Sequence, residues 1–142
     1  EATGQEKPLY KTLEKLAGDG KAFCTGRENR KKLQIETTFD GTRVHPEQTG
    51  SIANLSTDNF TPAAFVYGTL EGMSRELYQM YQTIQNGTGM QIKYMIGSGN
   101  GLRKNPVLCE IVEEMFGAKL ALAECEEEAA TGAALSSMQQ DE

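Results

Sequence analysis

Gln91-Ile-Lys-Tyr-Met-Ile-Gly97-Ser-Gly99-Asn-Gly101-Leu-Arg-Lys-Asn105-Pro106 is the stretch on which the fold turns. An apolar run climbs into three glycines at every second position, and the chain then reads Asn-Pro and becomes amphipathic. That order predicts strand, glycine-rich loop, helix. Asn105 suits the N-cap, because its side-chain oxygen can accept from an open amide of the first turn. Pro106 suits the first helical position, where no amide donor is needed. Leu108, Ile111, Val112 and Met115 then share one face, Glu110, Glu113 and Glu114 another, and Gly117 ends the helix. Glycines at the end of a strand admit a ligand to bare backbone, and a helix start offers N–H groups and partial positive charge. Two readings stand on spacing alone: a nucleotide loop, or a tight turn with no ligand. The pattern is neither GxGxxG nor GxxxxGK[ST].

Outward from this stretch the chain alternates strands and helices. Residues 1–8 are polar and read as loose. Leu9, Leu13, Leu16 and Ala17 predict a short helix that Gly18-Asp19-Gly20 should stop, with a loop or edge hairpin over 21–32. Residues 33–39 alternate as a strand with Leu33, Ile35 and Phe39 on one side. Residues 50–56 form its partner, with Ile52 and Leu55 inward. Thr61-Pro62 opens the longest helix, whose stripe of Val66, Leu70, Met73, Leu77, Met80, Tyr81 and Ile84 reads as core, and Gly87 should end it. Gly68 and Gly72 share a face, which predicts that another backbone packs closely there. Residues 119–123 make a last short strand. The helix from Glu124 is nearly side-chain-free at Ala129, Ala130, Gly132, Ala133 and Ala134, which lets it lie flush against another element or against the backbone of a ligand loop, with a tail fraying from Ser136. The order is α/β: a mixed sheet with helices packed on its faces.

Composition narrows the function. The 142 residues suit one domain, with 38% apolar and 24% charged residues, as in an ordinary globular chain. A net charge of −6 argues against a nucleic-acid surface, and no run is long enough to span a membrane. Cys24, Cys109 and Cys125 cannot all pair and lack metal-site spacing, so reduced thiols in a cytoplasmic protein are the simplest reading. His45, the one histidine, has no nucleophile motif beside it and reads as a surface residue. Glu126, Glu127 and Glu128 are consecutive, cannot all face one site, and read as cap and solvent residues. No paired acid and base, Walker lysine or metal cluster stands out. The first residue is Glu rather than Met, so a trimmed chain or a fragment is expected.

Four stretches in order carry a resemblance: Thr37-Thr-Phe-Asp-Gly-Thr-Arg43, Thr49-Gly-Ser-Ile-Ala-Asn-Leu-Ser56, Ile96-Gly-Ser-Gly-Asn-Gly-Leu-Arg-Lys-Asn-Pro106 and Glu126-Glu-Glu-Ala-Ala-Thr-Gly-Ala-Ala-Leu135. Together they resemble the carboxy-terminal domain of the FGGY carbohydrate kinases, the family of glycerol kinase and xylulokinase. The glycine stretch and the Thr37–Arg43 stretch look most like the sedoheptulokinase branch. The resemblance covers residues 37–137. It leaves 1–36 as a poorly matched leading segment and 138–142 as a tail. It implies a ribonuclease H-like domain of the actin/hexokinase/Hsp70 ATPase type, incomplete here. The implied activity is ATP- and Mg²⁺-dependent phosphorylation of a sugar hydroxyl, with a ketose such as sedoheptulose as substrate. The implied catalytic aspartate lies on a missing amino-terminal domain, so this chain should hold no catalytic residue and be inactive alone.

The resemblance also places the adenine-side glycine near Gly101 and the nucleotide-contacting asparagine on Asn105. The commoner pattern has adjacent glycines where this chain spaces Gly97, Gly99 and Gly101, so all three stand as cofactor-binding candidates beside Asn105. The implied partners are sugar, ATP and the other kinase domain, with a homodimer also open and neither nucleic acid nor membrane among them. A xylulokinase-like or other sugar or polyol kinase, and a non-catalytic nucleotide-binding or interaction module, are the competing readings.

Overall fold

A computed structural model of the chain describes residues 6–25, 32–43, 45–124 and 128–138. Nine elements follow in order: α1 (Glu6–Thr25), β1 (Gln34–Glu36), β2 (Ser51–Ala53), α2 (Pro62–Thr88), β3 (Tyr94–Gly97), α3 (Asn100–Arg103), α4 (Pro106–Phe116), β4 (Lys119–Leu122) and α5 (Glu128–Met138). The α/β class holds. Strands of both orientations are present, distributed over two separate pairs. β1 and β2 are antiparallel with Ile35 opposite Ile52, and β3 and β4 are parallel with Ile96 opposite Ala121.

The helices α1, α2 and α4 pack on one another and β1 lies along α2. The reason is the absence of side chains at three points. At Gly72 a Cβ would collide with the Ile35 carbonyl oxygen and stand 3.1 Å from Thr37 Cγ2. At Gly68 it would stand 3.3 Å from Ile35 Cδ1. The close backbone expected against this glycine pair is therefore β1. Leu33, Ile35 and Ala64 form the buried centre of that contact, with Phe65 packed against it. At Gly20 a Cβ would lie 2.6 Å from Tyr67 Cβ and 2.9 Å from the Ala63 carbonyl carbon, so α1 crosses α2 at that glycine. Two further links fix α4. Lys21 Nζ reaches Glu110 Oε2 at 2.9 Å and Glu114 Oε1 at 2.7 Å. Phe116 packs on Tyr78 and Tyr81 with ring centroids 5.1 and 5.5 Å away.

Several local expectations are corrected. The Gly18-Asp19-Gly20 segment does not stop α1, because packing on α2 outweighs the roughly 1 kcal/mol helix cost of a glycine. Gly87 does not end α2 either. The cap is Gly89, whose N–H donates to Gln85 O at 2.7 Å. Phe39, Ile52 and Leu55 are exposed rather than inward, and of that set only Leu33 and Ile35 are buried. Met73, Leu77, Met80 and Ile84 are exposed as well. The buried face of α2 is instead Ala64, Tyr67, Gly68, Gly72 and Ser74. Apart from Tyr67, these are small residues, which let the neighbouring backbones approach. In α5, Ala130, Gly132 and Ala133 are exposed and a Cβ on Gly132 would meet nothing within 4 Å, so at these described residues α5 lies against no other element of this chain. Ser136 and Ser137 are still helical, and the expected fraying beyond 138 lies outside the described residues, as do Cys125, Glu126 and Glu127.

Candidate functional site

The glycine stretch folds as strand, turn and two successive helices. β3 ends at buried Gly97, whose carbonyl accepts from Ala123 N at 2.8 Å and so continues the pairing past β4. A Cβ at Gly97 would stand 2.7 Å from Leu102 Cδ1 and 3.1 Å from Leu120 Cδ1, so this glycine makes room for the apolar contact beneath the loop. Gly99 takes φ +89°, a left-handed backbone that suits glycine, and turns the chain into α3. The loop does not stay open. Residues 100–103 wind into a single turn, with Lys104 N donating to Asn100 O at 3.1 Å and Asn105 N to Leu102 O at 3.2 Å. Arg103 Nη1 donates to Ala123 O at 2.8 Å and ties α3 to the end of β4.

Asn105 then starts α4 as expected: its Oδ1 accepts from Leu108 N at 3.1 Å, with Pro106 next. With one lone pair of that oxygen engaged, Asn105 keeps for a ligand the two donors of Nδ2 and the oxygen's second lone pair.

The structure brings two of the four candidates together. Gly101 and Asn105, with Asn100 and Lys104, form one wall of a cavity of about 370 Å³. Gly97 and Gly99 lie outside it and shape the turn. The facing wall is α1, through Tyr10, Leu13 and Glu14. Those three fall at i, i+3 and i+4 and so share one helix face. Sequence reasoning missed this wall. The spacing was visible inside the expected helix, but nothing in it said which element the face would meet. A second, apolar cavity of about 310 Å³ adjoins through Leu13 and Asn105 and is backed by Phe65, Val66, Thr69 and Leu70.

Neither described thiol suits nucleophilic chemistry. Burial, then Glu113, pushes the Cys109 thiol up, and Cys109 Sγ donates to Leu102 O at 3.3 Å. Burial, then Glu71, does the same to Cys24. His45 lies on the surface with Nδ1 3.2 Å from Glu47 Oε1. Among the described residues no group of three or more His, Cys, Asp or Glu is placed to hold a metal ion, and no helix is long and apolar enough to cross a membrane. The cavity therefore offers binding chemistry: an aromatic ring, an aliphatic side chain, a carboxylate, an ammonium and two amides.

Residues 28–139 match the FGGY family of carbohydrate kinases, C-terminal domain. No curated protein matches the chain in sequence. Among solved structures, the chain is similar to xylulose kinase from Bifidobacterium adolescentis, with 18% identity and TM-score 0.66 over 82% of this chain and 22% of that one. It is similar to xylulose kinase from Rhodospirillum rubrum, with 17% identity and TM-score 0.64 over 85% and 23%. It is similar to Plasmodium falciparum glycerol kinase with ADP, with 19% identity and TM-score 0.65 over 93% and 26%. The fold is thus that of the actin-like ATPase class, and the chain spans about a quarter of the length of these kinases.

Proposed function

Because the chain belongs to the FGGY family of carbohydrate kinases, matching its C-terminal domain, we propose that it is the ATP-binding portion of an enzyme that phosphorylates a sugar hydroxyl. The observation that carries this reading is the meeting of Gly101 and Asn105 in the wall of the 370 Å³ cavity. That volume is near the lower end of ligand pockets, roughly 300–1,000 Å³, and suits a base and ribose with the phosphates continuing beyond it. Tyr10 and Leu13 supply apolar surface, and Asn105 Nδ2 and Lys104 Nζ supply donors, so the residues fit the adenosine end of ATP. The loop does its part by holding Asn105 rigidly, since the cap bond to Leu108 N and the α3 turn fix its backbone.

When bound, ATP with Mg²⁺ supplies the phosphoryl group, and catalysis is positioning plus charge neutralisation. The aspartate base belongs to the part of the enzyme outside this chain. This chain alone is inactive, and the whole protein works in the cytoplasm. We assign the ATP-side domain portion to residues 37–137. The form of the Thr37–Arg43 and Ile96–Pro106 stretches favours a ketose such as sedoheptulose as substrate. Two of the similar solved structures are xylulose kinases, which favours xylulose as the second reading.

The test is ADP release by the full-length protein with ATP, Mg²⁺ and a panel of sedoheptulose, xylulose and glycerol. Turnover on sedoheptulose above the others is expected. Turnover only on xylulose moves the substrate to the second reading, and none on any ketose or polyol leaves a non-catalytic nucleotide-binding module.

A further inference from the structure

We propose that Asn100 is a site of spontaneous deamidation: the backbone nitrogen of Gly101 displaces its side-chain amide, and the acid left behind erodes the cavity wall it belongs to. The loss of nucleotide binding that follows rests on the ATP reading above; the chemical step does not. Asparagine is a thermally labile side chain, and the nitrogen that follows it decides its fate. Asn100 and Gly101 are both exposed, and a Cβ at Gly101 would meet nothing within 4 Å, so nothing crowds the approach of that nitrogen to Asn100 Cγ. Among the described residues the Gly101 N–H has no acceptor. The α3 turn is held by Lys104 N on Asn100 O at 3.1 Å and Arg103 N on Gly99 O at 3.2 Å, and a helix of one turn opens readily. The same dipeptide occurs once more, as a control. Asn86-Gly87 is also exposed, but it lies inside the 27-residue α2, where the Gly87 amide belongs to the i→i−4 ladder. Asn105 is excluded because Pro106 has no N–H to give.

The reaction needs only water and a base from the solvent. The base takes the Gly101 amide proton, the nitrogen bonds to Asn100 Cγ, and the Cγ–Nδ2 bond breaks. The amide nitrogen leaves as ammonia, with a proton returned from solvent, and a succinimide ring remains. The chain itself holds the two atoms in reach, which replaces a bimolecular encounter with an intramolecular one. Water then opens the ring at Cγ to give aspartate, or at the Asn100 carbonyl carbon to give isoaspartate, with the chain rerouted through Cγ. No atom is oxidised or reduced. Either product puts a new carboxylate on the wall shared with Lys104 and Asn105, in a cavity that already holds Glu14. Isoaspartate also removes the carbonyl that accepts from Lys104 N and so undoes the turn leading into Asn105. The charge repels an anionic ligand, and the unwound turn no longer fixes Asn105.

The test is incubation of the full-length protein in warm, mildly alkaline buffer, followed by tryptic mass spectrometry and by calorimetric titration with ADP. Trypsin cuts after Arg75, Lys93 and Arg103, so Asn86 lies on peptide 76–93 and Asn100 on peptide 94–103. The amide-to-acid mass gain should build up on 94–103 about tenfold faster than on 76–93, and Gly101→Ala should slow it about tenfold, because a Cβ hinders the attacking nitrogen. That Cβ meets nothing in the fold, so the melting temperature of Gly101→Ala should match wild type. An equal gain on both peptides, or none on 94–103, overturns the site. As the gain completes, wild type should lose about tenfold in ADP affinity. Asn100→Gln, whose longer side chain closes a larger ring far more slowly, should keep its starting affinity through the same incubation. Fully converted wild type that binds ADP as before overturns the effect on the cavity. If fresh protein binds no ADP, the ATP reading falls and that effect with it, while the mass gain still decides the site.

Discussion

Replacing Gly72 by alanine is the sharpest probe of how this chain is held together. The new Cβ would collide with the Ile35 carbonyl oxygen and stand 3.3 Å from the Ile35 carbonyl carbon. Those are backbone atoms of β1, paired to β2, and cannot rotate aside. Either β1 retreats from α2 by roughly 1 Å or α2 bends, and overpacking of this kind costs about 1–3 kcal/mol. Alanine in a helix interior regains about 0.5–1 kcal/mol of propensity. The net expectation is a loss of about 1–2 kcal/mol. Gly68→Ala is the matched control, on the same face of the same helix with the same propensity gain. Its Cβ meets Ile35 Cδ1 at 3.3 Å and Cγ1 at 3.4 Å, the mobile end of a side chain. Gly68→Ala should therefore lie within about 0.5 kcal/mol of wild type. Urea unfolding followed by circular dichroism at a helix band measures both, with the m-value checking that the exposed surface is unchanged. If Gly72→Ala proves as stable as Gly68→Ala, β1 does not seat against α2 as described and the packing argument is refuted.

Three further outcomes follow from named contacts. Tyr67 is buried, and burial followed by Glu71 pushes its phenol up to about 12. The unfolded state releases that proton above about pH 10 and the folded state only near 12, so the folded state holds more protons between them and stability falls as pH rises. The loss should reach roughly 2–3 kcal/mol by pH 12. Unfolding midpoints from pH 9 to 12 should drop steeply in wild type and less in Tyr67→Phe. The remaining slope comes from Lys21, raised by its bonds to Glu114 and Glu110, and from the Cys24 and Cys109 thiols raised by burial, all of them deprotonated in the unfolded state first. Asn105→Ala should cost about 1 kcal/mol through the lost cap on Leu108 N, read as a shifted urea midpoint. Gly87→Ala, inside α2 with nothing within 4 Å of its Cβ, should instead stabilise the chain by about 0.5 kcal/mol, seen as a higher melting temperature.

What was legible from residues alone was local or periodic. Thr61-Pro62 and Asn105-Pro106 mark helix starts because a capping oxygen and a proline act within one turn. The structure shows both caps, through Ala64 N at 3.2 Å and Leu108 N at 3.1 Å. Gly68 and Gly72 announced a close neighbour because two glycines on one helix face serve nothing else. The order of strands and helices followed from alternation, and the family from four stretches whose pattern no single local rule produces.

Tertiary structure decided the rest. A glycine pair that stops an isolated helix is tolerated in α1 because Gly20 seats it on α2, a contact 43 to 47 positions away in sequence. The apolar stripe of α2 was legible as a stripe, but its exposure was not, since periodicity reports a face and not what covers it. The site divides in the same way. Gly101 and Asn105 were named, with Gly97 and Gly99, because the family resemblance places nucleotide contacts on that one short stretch. Tyr10, Leu13 and Glu14 were not, because only the crossing of α1 over α2 and α4 carries them across some ninety residues to the other side of the same cavity.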